Sequence, residues 1–126
     1  MGEAIQSIDV TADSKFLIVA AITVGFHVYE VATGKKVKAV EVPGVNSKFV
    51  SLAFGEKQIM CLFDEKNKSY LRIYDFQDCL KEGNTPKHTH ELEAPQDTKF
   101  NKAVWGPRNE TIILATQNGK VMTWDV

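Results

Sequence analysis

Apolar residues along this chain come in short bursts, not at helical spacing. The clearest group fills the C-terminal stretch Phe100–Val126. Phe100–Trp105 (FNKAVW) alternates as a half-buried strand does. Gly106-Pro107-Arg108-Asn109 interrupts it, and Ile112–Thr116 follows as a continuous apolar run that predicts a strand buried on both faces. Gln117-Asn118-Gly119 is a hairpin signal, because Asn and Gly both tolerate positive φ. A third strand, Val121–Val126, ends on Trp124-Asp125.

The unit recurs. Ile5–Val31 aligns with Phe100–Val126 without a gap, 95 residues upstream. Ile5 falls under Phe100, Val10 under Trp105, Leu17 under Ile112 and Tyr29-Glu30 under Trp124-Asp125. A middle copy comprises Phe49–Phe54, Ile59–Phe63 and Leu71–Phe76, and closes on Tyr74-Asp75. Its first turn reads about two residues shorter than in the flanking copies, and its polar second turn, Asp64–Ser69, about three longer. Lys36–Val42 and Thr89–Ala94 read as exposed outer strands, and Gln77–His88 as an inserted loop. The expectation is an all-β chain of eleven strands, in two four-stranded units (5–42 and 49–94) and a three-stranded one (100–126).

This strand–turn–strand–Asn-Gly–strand unit closing on Trp-Asp resembles one blade of a WD-repeat (WD40) β-propeller. The three closing dipeptides sit 45 and 50 residues apart, close to the family's period of about 40–45. The resemblance implies an arc of about three blades, part of a seven-bladed propeller. Both end blades would then have an uncovered apolar face, and neither reads as a polar cap. The chain is therefore expected to be a piece of a larger propeller, and the isolated arc to be prone to self-association. The resemblance also assigns structural roles to Tyr29, Glu30, Tyr74, Asp75, Thr116, Asn118, Trp124 and Asp125. WD blades usually carry a His–Ser/Thr–Asp–Trp tetrad. Here Thr116 and Trp124 fit it, Asn118 stands in for Asp, the first blade has Ala21, Thr23 and Tyr29 at these positions, and the second has Tyr74 only.

A narrower resemblance lies in particular words. Lys102–Pro107 (KAVWGP) followed by Ile112-Ile113 is similar to a segment of the I subunit of eukaryotic translation initiation factor 3, where A-V-W-G-P opens a middle blade. SIDVTADSKFLIVAA followed by Ala32–Lys35 (ATGK) resembles that subunit's preceding repeat. The resemblance implies a non-catalytic cytoplasmic scaffold. Its partners would be subunits b and g of the same factor and, indirectly, the small ribosomal subunit. The runner-up is the related receptor-associated WD scaffold of RNP assembly and kinase signalling. The expected partner contacts lie on blade-top turns: Thr23, Val24 and Gly25; Asp64, Glu65, Lys66 and Asn67; Gln117, Asn118 and Gly119.

Composition narrows the chemistry. Net charge is −1, with 44% hydrophobic and 25% charged residues, which gives no dominant nucleic-acid or membrane footprint. Lys35-Lys36-Val37-Lys38, the most basic run, lacks interleaved aromatics for base stacking and reads as edge protection. No apolar run nears the ~20 residues that span a bilayer, and Met1–Ala4 is no secretory signal. Two cysteines, Cys61 and Cys79, fit a reducing compartment. His88 and His90, alternate residues of a strand, would face one side and could approach a metal with Cys79. Three loose ligands are too few for a closed zinc site, so no metal is expected. His27 has no nucleophile motif beside it, and Glu91 and Glu93 read as solvated carboxylates. No catalytic residue and no cofactor is assigned; a propeller enzyme would need a convergent acid–base pair that the sequence does not display.

Overall fold

A computed structural model describes residues 5–21, 25–41, 45–81, 83 and 86–126. Among these, eleven strands form three antiparallel sheets in a row. The first sheet is β1 (Ile5–Val10), β2 (Phe16–Ala21), β3 (Gly25–Glu30) and β4 (Lys35–Glu41), ordered as in the sequence. The second is β5 (Asn46–Leu52), β6 (Gln58–Glu65), β7 (Lys68–Asp75) and β8 (His88–Glu93). The third is β9 (Phe100–Trp105), β10 (Thr111–Thr116) and β11 (Val121–Asp125). Each is one blade of an all-β propeller arc.

The middle blade is packed on both sides, which explains its unbroken apolar run. Ile59, Cys61 and Phe63 of β6 point to the first blade, where they meet Ile18, Ala20, Phe26 and Val28. Met60 and Leu62 point the other way, to Phe100, Ala103, Trp105, Ile112 and Leu114 of the third blade. β10 differs from its expected burial on both faces. Ile112, Leu114 and Thr116 are buried but Ile113 and Ala115 are exposed, because no element among the described residues packs on their side.

The three blades share one register. Val10 pairs with Leu17, Leu52 with Ile59 and Trp105 with Ile112. Each first strand carries a bulge at the same place, between Ile5 and Ser7, between Ser47 and Phe49, and between Phe100 and Lys102. The middle blade's first turn is therefore not shortened. β5 ends at Leu52, and its turn, 53–57, matches 11–15 and 106–110 in length. The second turn also differs from its reading. β6 and β7 extend through most of Asp64–Ser69, leaving only Lys66-Asn67 as the tip, with Lys66 at φ 58°.

Part of the inserted segment is a helix, α1 (Phe76–Leu80), where a loop was expected. Asp75 caps it, its carboxylate accepting from the Asp78 backbone N–H at 3.1 Å, while Phe76 and Cys79 anchor one face in the core. Blades are also latched by side chains on the first strands and on the turns that follow them. Asp9 Oδ2 accepts from Leu52 N–H at 2.8 Å, and Asn109 holds both Phe54 N–H (2.9 Å) and C=O (2.7 Å).

Candidate interaction rim

At one end of the arc, three segments converge: the β6–β7 tip, the link 94–99 and the β10–β11 turn. Asn67, Asp97, Lys99, Gln117 and Asn118 together line a depression of about 460 Å³. A second, of about 540 Å³, lies between Asn67, Lys68 and Glu93–Asp97, and a third, of about 450 Å³, runs along Glu65–Lys68 and Tyr70. Asn67 borders all three. The rim presents side-chain amides beside charges of both signs, a chemistry suited to polar protein segments.

The β10–β11 turn is built by Thr116. Its backbone N–H donates to Lys120 O (3.0 Å), and its hydroxyl accepts from Lys120 N–H (3.0 Å) and bonds Asn118 Oδ1. Gly119 takes φ 84°, a conformation L side chains adopt at a cost. Gln117 N–H donates to Lys99 O at 2.9 Å, tying the turn to the link beside it. Lys68 and Glu93 pair at 3.2 Å, and that hydrogen bond raises the lysine pKa.

Of the expected contact residues, Asn67, Gln117 and Asn118 come together on this rim, with Lys66 and Gly119 exposed nearby and Glu65 partly so. Thr23 and Val24 lie outside the described residues. Gly25 is buried at the start of β3, φ 109°, paired with Ala21 and Glu41. Asp64 is a correction: it is not a rim residue but points inward. Its carboxylate pairs with Lys48 at 2.9 Å and accepts from the Ser69 hydroxyl. Lys48 Nζ also donates to Phe100 O (2.7 Å), and Phe100 N–H donates to Ser69 Oγ (3.2 Å). This network clamps both backbone groups of Phe100 and so fastens the third blade under the rim. Lys48 of this network, and the rim residues Asp97 and Lys99, were not expected from sequence.

Of the motif residues, Tyr74 and Trp124 meet a ring of the neighbouring blade. Tyr29, Tyr74 and Trp124 pair with Leu17, Ile59 and Ile112, the same rung of each blade. The acidic residue after each has a local partner. Glu30 accepts from Thr33 Oγ1 (2.8 Å), Asp75 caps α1, and Asp125 accepts from Thr111 Oγ1 (3.4 Å). The partial tetrad is not assembled. Trp124 stands opposite Ile112, four residues along β10 from Thr116, so only the Thr116–Asn118 pair forms.

The two histidines also depart from the sequence reading. A bulge between Ile73 and Tyr74 in the β7–β8 register turns His88 toward Tyr74 and His90 toward Trp124 on the next blade. Among the described residues no three His, Cys, Asp or Glu side chains group to hold a metal. Cys79 is buried in the core, and burial pushes its thiol, like that of Cys61, up to about 12. No helix among the described residues is long and apolar enough to cross a membrane.

No protein-family model matches the chain. Over 120 residues, 95% of the chain, it is 30% identical to eukaryotic translation initiation factor 3 subunit I of Dictyostelium discoideum, of which it covers 36%. In fold it is similar to the Cps50 (Swd1) β-propeller domain of Myceliophteria thermophila, with a TM-score of 0.78, 10% identity, and coverage of 96% of this chain and 37% of that one. It is likewise similar to a chain of the mitotic checkpoint complex, with a TM-score of 0.76, 18% identity, and coverage of 98% and 37%. The chain thus spans a little over a third of each of these proteins. With the shared blade register, these likenesses make the chain an arc of a β-propeller that is similar in sequence to subunit I of eukaryotic translation initiation factor 3.

Proposed function

We propose that this chain is a non-catalytic, cytoplasmic interaction scaffold that acts with the other subunits of translation initiation factor 3, subunits b and g among them. Through them it reaches the small ribosomal subunit without contacting nucleic acid itself. The observation that carries the reading is the 30% identity to subunit I along almost the whole chain. The rim supports it. Asn67, Gln117 and Asn118 are held by rigid hairpins, and polar loops on a fixed frame suit protein recognition. A net charge of −1 argues for protein partners over phosphate backbones.

The test is affinity capture with the tagged 126-residue chain from extract of its own source, with bound proteins identified by mass. Stoichiometric initiation factor 3 subunits, lost on Asn67→Ala/Gln117→Ala/Asn118→Ala at the rim, are expected. Recovery of RNP-assembly or kinase-receptor components instead would overturn the reading.

A further inference from the structure

Two turns of the chain are built alike around a threonine, one with an aspartate and the other with an asparagine. In the β1–β2 turn the Thr11 hydroxyl donates to Asp13 Oδ1 at 2.7 Å and accepts from Phe16 N–H at 3.1 Å, and Ser14 N–H donates to Thr11 O at 2.9 Å. In the β10–β11 turn the Thr116 hydroxyl donates to Asn118 Oδ1 and accepts from Lys120 N–H at 3.0 Å, and Gly119 N–H donates to Thr116 O at 3.2 Å. Ser14 and Gly119, which follow the acid and the amide, both take positive φ, 60° and 84°. The threonine, the side-chain acceptor and the left-handed residue therefore coincide in the two turns. The Thr11 hydrogen bond holds the Asp13 carboxyl below the usual carboxylate range, so a turn of this kind favours a charged acceptor.

At Asn118 the acceptor is an amide, and the next residue has no side chain to shield its backbone nitrogen. Asn118 and Gly119 are both exposed. A Cβ at Gly119 would meet nothing within 4 Å, so the space around this peptide bond is open. The Gly119 N–H bond to Thr116 O, at 3.2 Å, lies at the long end of the usual range and is readily released. The Thr116 hydroxyl sits on Oδ1, where negative charge develops when a nucleophile adds to Cγ. Asn67, also exposed on this rim, is followed by Lys68, whose Cβ stands beside the nitrogen that would attack.

We propose that Asn118 is a site of spontaneous deamidation, and that the Thr116 turn directs the product toward aspartate. The Gly119 backbone nitrogen gives its proton to solvent base and attacks Asn118 Cγ. The N–Cγ bond forms, the Cγ–Nδ2 bond breaks, and Nδ2 takes a proton and leaves as ammonia, closing a cyclic imide. Water then adds to one ring carbonyl and the ring opens. In sum, an amide and a water become a carboxylic acid and ammonia, with no oxidant or reductant. Opening at Cγ gives aspartate and leaves the backbone as it was. Opening at the Asn118 backbone carbonyl gives isoaspartate, whose extra main-chain methylene does not fit a turn closed by two 3.0 Å bonds between Thr116 and Lys120. Re-closure of the ring from the misfit product feeds the fitting one, whose carboxylate accepts from Thr116 as Asp13 accepts from Thr11. The product places a new negative charge in the depression that Asp97 and Lys99 also line.

The test holds the 126-residue chain in mildly alkaline buffer, native and in urea, with digestion at intervals. Peptide masses follow each asparagine, and chromatography against synthetic standards separates aspartyl from isoaspartyl product. In the native chain Asn118 is expected to convert about tenfold faster than Asn67, the factor that about 1.4 kcal/mol of barrier makes. It should also give a larger aspartyl share than in urea. Gly119→Ala, checked for fold by circular dichroism, should slow the conversion by about the same factor of ten. Native Asn118 that stays intact while the unfolded chain converts overturns the proposal, because the turn then protects the amide. So does a native rate no faster than at Asn67, and so does a Gly119→Ala chain that converts as fast as the parent. An aspartyl share equal in the two conditions overturns the direction assigned to the turn.

Discussion

The Tyr74 ring stands edge-on to Phe26 across the seam between the first two blades, centroids 5.2 Å apart and planes at 70°. Both rings are buried, and Cys61, Phe76 and Cys79 share the cluster around them. Offset aromatic pairs of this kind add about 0.5–1.5 kcal/mol beyond the area they bury. Tyr74 is also the middle blade's closing aromatic, so the residue that marks the repeat in the sequence is the one that joins two blades.

Tyr74→Ala should therefore cost about 3–5 kcal/mol, by loss of burial and of the edge contact. Tyr74→Phe keeps both and should cost far less. Urea unfolding midpoints separate the two, and equal losses would show that the ring's packing is not what matters.

The Lys48–Asp64 pair yields a second expectation. Their side chains are 20% and 12% accessible, and Lys48 also holds Phe100 O. Lys48→Ala leaves the Asp64 carboxylate half-paired beneath the surface and should cost about 2–3 kcal/mol. The double variant Lys48→Met/Asp64→Leu removes the stranded charge and should recover part of that loss. Losses that simply add in a double-mutant cycle would mean the two groups do not act together.

The repeat, the blade count and the aromatic closing positions were legible because each rests on a periodic apolar pattern. The polar network was not. Asp64–Ser69 is polar throughout, and polarity alone does not separate a solvated turn from strands that bury an ion pair. What decides it is Lys48 on another strand and Phe100 on another blade, both far away in sequence. The bulges were equally silent, and one of them turns His88 to Tyr74 of its own blade and His90 to Trp124 of the next. At the rim, Asn67 and Gln117 could be named from turn chemistry, whereas Asp97 and Lys99 joined them only once the linking segment was placed.

Both thiols lie in the core with pKa raised from 9.0 to about 12 by burial. Below pH 9.0 they are protonated whether the chain is folded or not. Above it the unfolded chain loses these protons while the folded chain keeps them, so stability falls as pH rises from 9.0 toward 12. Each thiol contributes a slope of about 1.4 kcal/mol per pH unit in that window. Cys61→Ala should flatten the alkaline side of the stability curve. At pH 8 a disulfide reagent should label the native chain slowly and the urea-unfolded chain at once; fast native labelling would contradict the burial.

The KAVWGP word has a physical reading that can be tested at Gly106. Its N–H donates to Thr111 O at 2.7 Å, closing the turn between β9 and β10. A Cβ at Gly106 would lie 2.9 Å from that same carbonyl oxygen and 3.3 Å from the Thr111 Cβ. The neighbour is backbone, so relief requires the turn to shift. Trp105 on one side is buried against the middle blade, and Pro107 on the other starts a 3-10 turn whose Asn109 latches Phe54. Gly106→Ala should thus cost about 1–3 kcal/mol through crowding, without any change in φ demanded of it. Asn109→Ala, which removes only the latch, should cost about 1–2 kcal/mol. If the turn moves to admit the methyl, the Asn109 latch breaks with it, and the double variant should cost less than the sum of the two. Full additivity in thermal unfolding would mean that Gly106 serves its own turn and that the latch is set independently.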